Sequence, residues 1–92
     1  MKDNNEGKTF GVYAVKDLLV GRFMQPIFLD NDDMAKRWFK NTLNEISMWK
    51  NNAGDFAIYR IGHFNDKDGL TDYPVCEELA NGMSVVERSK NE

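Results

Sequence analysis

One stretch of helical periodicity, lying between stretches of strand-like alternation, limits the folds open to this 92-residue chain. Asp30 and Asn31 are favourable N-caps, and the two aspartates that follow place negative charge on the first helical turn. The helix should end near Trp49, because asparagines and a glycine come next. One largely apolar stripe recurs at helical spacing and consists of Met34, Ala35, Trp38, Phe39, Thr42, Leu43 and Ile46.

Segments typical of β-strands flank this helix on both sides. Residues 10–16 and 22–29 precede it, and residues 56–64 and 70–73 follow it. Gly21 suits a turn with positive φ, Pro26 indicates an edge strand or a bulge, and Asp68-Gly69 is a hairpin signal. Residues 74–80 favour a helical turn that Asn81-Gly82 ends. The order β-β-α-β-β predicts an α+β fold, a small antiparallel sheet with one main helix packed on one face.

Strict alternation along residues 56–64 predicts which side chains share a face of the sheet. Phe56, Ile58, Arg60, Gly62 and Phe64 should point to one side. Ala57, Tyr59, Ile61 and His63 should point to the other. Trp38 and Phe39 fall on the apolar stripe of the helix, so both are expected in the core.

The length of the chain indicates one small domain. Residues 9–86 are expected to form a single α+β domain, with a flexible N-terminal segment at 1–8 and a flexible C-terminal tail at 87–92. Apolar runs are too short to cross a bilayer, and no apolar leader follows Lys2, so no membrane association is expected. A single cysteine, Cys76, excludes an internal disulfide. These features predict a soluble protein of a reducing cytoplasm.

Enzyme chemistry has little support in the sequence. His63 is the single histidine, and no second histidine, cysteine or serine motif accompanies it, so we interpret it as a surface or strand-end residue. The acids at 66, 68 and 72 lack the glutamate that completes a calcium loop, and the acids at 30–33 are explained by helix capping. The glycines form no phosphate-binding loop. We therefore expect no catalytic residue, metal or cofactor.

Charge and aromatic residues point instead to nucleic acid. The net charge is −3, yet residues 1–64 hold nine basic and eight acidic residues, whereas residues 65–92 hold three and seven. Single strands are bound by stacking of bases on aromatic rings and by basic contacts to phosphates. Tyr59, on a strand, and Trp49, at the end of the helix, are the candidate stacking residues. The full set of candidate DNA-binding residues is Lys36, Lys40, Trp49, Lys50, Tyr59 and Arg60.

Several ordered motifs resemble a known family. They are residues 12–17 (VYAVKD), Pro26-Ile27-Phe28, Asn31-Asp32, the helix residues Ala35, Arg37 and Phe39, and residues 55–64 (DFAIYRIGHF) before an acidic, glycine-ended turn. In this order they resemble the small nonstructural protein of gokushoviruses, bacteriophages of the Microviridae with single-stranded DNA genomes. The resemblance covers roughly residues 9–86. Family members usually carry an acid where this chain has His63, so a catalytic role for His63 is not expected.

The resemblance implies a phage accessory protein of the host bacterial cytoplasm that is absent from the mature virion. Such proteins are associated with DNA binding and with the stage at which replication yields single-stranded genomes for packaging. Two hypotheses follow: a factor that binds single-stranded DNA in viral replication, or an adaptor that binds the replication initiator, the procapsid or a host replication factor. The negative charge favours the adaptor, whereas the stretch from Met34 to Phe64, with five basic residues against two acids, favours DNA. A short sheet with uncovered surface also predicts a homodimer, formed by edge pairing or by packing of two sheet faces.

Overall fold

The computed structural model describes residues 7–70 and 76–87 of the chain. Within these ranges the chain forms six strands, three α-helices and one 3₁₀ turn. The strands are β1 (Thr9–Asp17), β2 (Arg22–Phe23), β3 (Ile27–Leu29), β4 (Phe56–Asn65), β5 (Gly69–Leu70) and β6 (Glu77–Asn81). The helices are α1 (Asp32–Glu45), α2 (Ser47–Asn51) and α3 (Gly82–Val85), and the 3₁₀ turn is Ala53–Asp55.

The sheet is built around β1 and β4, which pair along their whole lengths. All pairings are antiparallel: β2 and β3 join β1 at one edge, and β5 and β6 join β4 at the other. The helices pack on one side of this sheet, where α1 supplies the largest buried surface. The predicted α+β fold, an antiparallel sheet with one main helix on one face, is confirmed.

Helix α1 begins as its sequence predicts. Asn31 is the N-cap, and its side-chain oxygen accepts a hydrogen bond from the backbone N–H of Met34 at 2.9 Å. The buried stripe is narrower than predicted, because Trp38 is half-buried at its margin and Met34 and Ile46 are exposed. The core between helix and sheet is formed by Ala35, Phe39 and Leu43 from α1, Tyr13 and Val15 from β1, and Phe56 and Ile58 from β4, together with Ala53.

The predicted helix to Trp49 is interrupted at one residue. Ile46 adopts extended backbone angles, φ −97° and ψ 111°, and α2 begins at Ser47. Within α2 the Trp49 ring stacks on the Phe56 ring, with centroids 5.0 Å apart and an interplanar angle of 18°. Aromatic packing against the core therefore accompanies the break, which the helix propensities of these residues do not indicate.

Two further predictions of local structure need correction. The strand expected at 22–29 is split into β2 and β3 around Pro26, which has no amide to donate, although the Met24 N–H still donates to the Val15 carbonyl of β1 at 2.8 Å. The helical turn expected at 74–80 is wrong for residues 77–80, which belong to β6. The edge of β4 offers these residues backbone hydrogen-bond partners, and this tertiary pairing outweighs their local preference. Residues 71–75 lie outside the described residues.

Both predicted glycine turns are present. Gly21 has φ +81° in the β1–β2 turn, and Gly69 has φ +90° in the β4–β5 hairpin. Lys8 is attached to the second turn, because its backbone N–H donates to an Asp66 carboxylate oxygen at 2.8 Å and its carbonyl accepts from the Asp66 N–H at 3.0 Å. Flexible segments were expected at 1–8 and 87–92, and of these residues 1–6 and 88–92 lie outside the described residues.

A β-bulge in β4 changes which side chains share a face. Gly62 pairs with Val12, and Arg60 pairs with Tyr13, so Ile61 has no partner in β1. The prediction that Gly62 and Phe64 lie on the side of Phe56 and Ile58 is therefore wrong. Beyond the bulge these two residues lie on the side of Tyr59, and His63 moves to the helix side.

Candidate nucleic-acid interface

The side of the sheet opposite the helices carries most of the exposed aromatic rings. Among the described residues no helix covers this side, since α1, Trp49 of α2 and Val85 of α3 all pack against the other face. We call this side the aromatic face and define it by its large side chains. They are Phe10, Lys16, Phe23, Phe28, Tyr59 and Phe64.

One end of the aromatic face holds two rings and a lysine, the Tyr59 cluster. Phe23 and Tyr59 meet edge to face, with centroids 5.4 Å apart and an interplanar angle of 84°. The Lys16 ammonium lies 5.2 Å from the Phe23 centroid and 5.8 Å from the Tyr59 centroid. Phe23 is 40% exposed, so this cluster offers solvent both an aromatic surface and a positive charge.

The other end holds three rings and a second lysine, the Phe64 cluster. The Phe64 ring lies 5.1 Å from Phe28 in an edge-to-face contact and 6.4 Å from Phe10. The Lys8 ammonium is 4.9 Å from the Phe10 centroid and also forms a 3.3 Å ion pair with Asp30. Phe28 is 49% exposed. The two clusters therefore repeat one arrangement, aromatic rings with an adjacent ammonium group.

Small residues separate the two clusters. Val12 and Ala14 of β1 point to the aromatic face, where they are 5% and 1% exposed. Gly62, paired with Val12, has no side chain, and a Cβ built on it meets no atom within 4 Å. Among the described residues, the open space between the clusters therefore lies above Gly62.

An acid also lies on the aromatic face. Glu78 of β6 pairs with Tyr59, whose hydroxyl donates a hydrogen bond to the Glu78 carboxylate at 3.3 Å. Partial burial of Tyr59 and the nearby Glu78 charge raise the pKa of the Tyr59 hydroxyl.

Arg60, next to Tyr59 in sequence, lies on the helix side of the sheet. Its guanidinium forms ion pairs with Asp32 of α1 and Glu77 of β6, and its side chain is 19% exposed. The Tyr13 hydroxyl donates to the other Asp32 oxygen at 2.8 Å. Burial and this hydrogen bond raise the pKa of the Tyr13 hydroxyl. The carboxylates that hold Arg60 attach α1 and β6 to the centre of the sheet.

The six residues predicted to bind DNA do not form one surface. Tyr59 lies on the aromatic face, whereas Lys36 and Lys40 are exposed on α1 and Lys50 is exposed on α2, on the helix side. Lys40 is also 3.9 Å from a Glu87 oxygen. Trp49 covers Phe56, and Arg60 is held by two carboxylates. The structure thus groups Tyr59 with a different lysine, Lys16.

Sequence reasoning did not identify the Phe64 cluster or the position of Lys16 beside Tyr59. Alternation along β1 does place Phe10, Val12 and Ala14 on one face, and Lys16 continues that series. The contribution of β4 was not predictable, because alternation without the bulge at Ile61 assigns Phe64 to the core side. The position of Phe28 was not predictable either, because residues 22–29 were expected to form one strand and form two.

A polar cavity of about 410 Å³ opens at the start of α1, on the helix side. Its lining includes Asp30, Asp32, Asp33, Arg60 and His63. The His63 side chain is not free, because it interacts with other groups of the protein. Across residues 7–70 and 76–87, no group of three or more His, Cys, Asp or Glu side chains is arranged to hold a metal ion. Cys76 is exposed.

Helices of the described part of the chain are all too short or too polar to span a bilayer. No curated protein and no solved structure matches the chain. A family model described as Phage ORF5 protein matches residues 10–85, a range that includes nearly all of β1 and every later element of the fold. The chain therefore belongs to the Phage ORF5 protein family.

Proposed function

We propose that this phage protein is a non-enzymatic accessory factor that binds single-stranded DNA on the aromatic face. The observation that carries the proposal is the pairing of exposed rings with lysine ammonium groups at both ends of a helix-free sheet surface. Exposed strand aromatics on an open sheet are a common platform for unpaired bases. A neighbouring ammonium group supplies the contact to the phosphate backbone.

Stacking supplies most of the binding energy in this proposal. Base–aromatic stacking contributes about 1–3 kcal/mol per base, and it tolerates any sequence because every base has a π-face. Duplex DNA keeps its bases stacked inside the helix, so the rings of the aromatic face cannot reach them. We therefore expect single strands to bind more tightly than duplexes of the same length.

Electrostatics should contribute modestly. The net charge of −3 repels a polyanion at long range, and Glu78 adds an acid beside Tyr59. Two lysines, Lys8 and Lys16, lie against the rings, so at about −0.7 per phosphate we expect a salt slope near −1.4. A much steeper slope would require the exposed lysines of the helix side.

The place of this activity in the phage cycle rests on the resemblance to the small nonstructural protein of gokushoviruses. The proposed role is in viral genome replication, or in the switch to single-stranded DNA synthesis and packaging. Action on replicating genomes places the protein in the host bacterial cytoplasm and does not require it in the mature virion. Stacking on aromatic rings does not depend on base sequence, so the protein can bind along the whole length of a single-stranded genome.

Titration of a fluorescently labelled oligothymidine at low and moderate salt tests the proposal. Tyr59→Ala should weaken binding by about 1–3 kcal/mol with little change in salt slope, because stacking releases few ions. Tyr59→Phe retains the ring and should bind nearly as well as the parent. Lys16→Ala should reduce the magnitude of the slope by about 0.7.

Lys36→Ala is the matched control for Lys16→Ala, since it removes the same charge from the helix side of the molecule. It should leave both affinity and salt slope close to those of the parent. No binding by the parent at low salt, or equal affinity of Tyr59→Ala and the parent, would contradict the proposal.

One observation favours the alternative function, a protein–protein adaptor. The β1–β2 turn exposes three consecutive apolar residues, of which Leu19 is 79% exposed. Leu19 and the exposed Met48 line a cavity of about 220 Å³ with Phe56 at its base. Exposed apolar patches often mark protein contacts. The test measures binding of the parent to the purified replication initiator, procapsid or host replication factor, and to oligonucleotide. Binding to one of these proteins that Leu19→Ser abolishes, with no oligonucleotide binding by the parent, would support the adaptor.

A further inference from the structure

The two clusters of the aromatic face lie at a fixed separation set by strand register. Tyr59 pairs with Ala14, and Phe64 pairs with Phe10, so the two pairs are four residues apart along β1. A strand rises about 3.3 Å per residue, which places the backbone positions of Tyr59 and Phe64 about 13 Å apart. At the intervening position Val12 pairs with Phe28 of β3 on one side and with Gly62 on the other, so among the described residues the open passage between Tyr59 and Phe64 lies over Gly62.

We propose that the aromatic face binds one DNA strand at two separate stacking subsites, the Tyr59 cluster and the Phe64 cluster, with the strand crossing above Gly62. This inference rests on the proposed function and specifies its substrate, a single strand long enough to reach both subsites. At the helical rise of about 3.4 Å per nucleotide, the separation corresponds to about four steps, and an unstacked strand needs fewer.

Lysine ammonium groups beside the rings favour a DNA strand as the occupant. One lies 4.9–5.8 Å from ring centroids in each cluster, although Lys8 also pairs with Asp30 and Glu78 lies beside Tyr59. Each subsite therefore offers a surface for a base and an ammonium group near its phosphate. Gly62, at the intervening position, leaves room for the nucleotides that link the two anchored ones.

Two subsites joined by one strand predict a characteristic dependence of affinity on length. Once the first base has stacked, binding of the second becomes intramolecular and gains from a high effective concentration. Affinity should therefore rise steeply when the oligonucleotide first reaches both clusters, at about five nucleotides, and slowly beyond that. Loss of one stacked base corresponds to roughly a 5- to 150-fold loss of affinity.

A series of oligothymidines of about two to about ten nucleotides, titrated against the parent and three variants, tests this inference. Phe64→Leu retains apolar volume but removes the ring, and it should abolish the steep rise while leaving the affinity for the shortest oligonucleotides within about twofold. Gly62→Val fills the open space above residue 62 and should also abolish the rise. Gly62 lies in a strand without positive φ and its Cβ position is empty, so the variant should fold.

Lys36→Ala is the control, because it changes the helix side of the molecule and leaves both subsites intact, and it should keep the steep rise. A smooth increase with length in the parent, or a Phe64→Leu variant that keeps the steep rise, would overturn the two-subsite inference while leaving single-strand binding intact. No binding of any oligonucleotide by the parent would overturn both this inference and the proposed function. Circular dichroism of each variant confirms that it is folded before its affinity is compared.

Discussion

Adjacent residues in β4 have opposite surroundings, and under the proposed function this difference determines which of them contacts DNA. Tyr59 faces the open side of the sheet, whereas Arg60 is enclosed by the carboxylates of Asp32 and Glu77. An arginine held by two carboxylates is satisfied electrostatically, and releasing it would leave those acids without a cation. The arginine predicted to contact phosphate therefore has a clear structural role.

The Tyr13 hydroxyl gives this network a measurable pH dependence. Its pKa is raised in the folded state above the value near 10.0 expected for an unfolded tyrosine, first by burial and then by the bond to Asp32. The stabilisation is complete below pH 10 and is lost as the pH rises toward the folded-state pKa, because the unfolded chain releases the proton first. Above pH 10 the free energy of unfolding of the parent should fall by up to about 1.4 kcal/mol per pH unit more than that of Tyr13→Phe.

Urea denaturation of both proteins between about pH 9 and about pH 11.5 measures this difference. Tyr59→Phe is the matched variant, and it should remove a smaller part of the slope, since Tyr59 is half-exposed and its shift is the smaller of the two. If the free energy of unfolding changes with pH in the same way for the parent and Tyr13→Phe, the raised pKa of the Tyr13 hydroxyl is contradicted.

At this scale the sequence allowed a prediction of residue types but not of their partners. Aromatic and basic residues were expected to lie together at a DNA-binding surface, which stays a prediction; in the structure Tyr59 lies beside Lys16, which was not in the predicted set. The orientation of Arg60 and Phe64 was not predictable, because one bulged residue reverses every side chain beyond it. The bulge depends on how β4 pairs with β1, and the sequence of one strand alone does not indicate that register.

Among the elements, the paired strands β1 and β4 were predicted within one residue of their observed ends, and the start of α1 was predicted correctly at Asn31, whereas its end, expected near Trp49, lies at Glu45. Their periodicity is long, and strong caps or turns bound them, as Asn31 bounds α1 and Gly69 bounds β4. The short elements were predicted less well. β6 forms because β4 offers it an edge, and the break at Ile46 accompanies the stacking of Trp49 on Phe56. Such tertiary contacts leave no local pattern in the sequence.

Core packing of α1 predicts a difference between two neighbouring aromatic residues. Phe39 is 0% exposed between helix and sheet, so Phe39→Ala should leave a cavity and lower the free energy of unfolding by about 3–5 kcal/mol. Trp38 is half-buried at the margin of the core, so Trp38→Ala should cost clearly less. Met34→Ala, at an exposed position of the same helix, should change stability by less than about 0.5 kcal/mol.

Urea denaturation of the three variants provides the comparison. A Trp38→Ala variant as unstable as Phe39→Ala would mean that the helix is rotated about its axis relative to the described packing. The ranking of the three costs matters more than any single value, since truncation costs vary with local relaxation.

At the scale of the whole molecule, the sheet leaves both edges and one face available for assembly. Edge strands β3 and β6 are short, and among the described residues nothing pairs with their outer sides. We propose a homodimer formed by edge pairing, because this arrangement leaves the aromatic face free for DNA. Two aromatic faces would then be present in each dimer.

Sedimentation analysis at micromolar protein, with and without oligothymidine, tests this assembly. The protein alone should sediment at about twice the chain mass of 10.6 kDa, and bound oligonucleotide should not dissociate the dimer. A dimer that oligonucleotide dissociates would place the interface on the aromatic face. A monomer at all concentrations would contradict the dimer altogether.

We propose that DNA binds the aromatic face and not the helix side, where Lys36 and Lys40 lie. A nuclear magnetic resonance titration distinguishes the two surfaces. Backbone amide signals of isotope-labelled protein are followed as unlabelled oligothymidine is added. The account predicts that the largest shift changes occur at Ala14, Phe28, Tyr59 and Phe64, while Lys36 and Lys40 of α1 remain close to their free positions. Changes concentrated on α1 and α2, with the signals of the aromatic face unmoved, would contradict it.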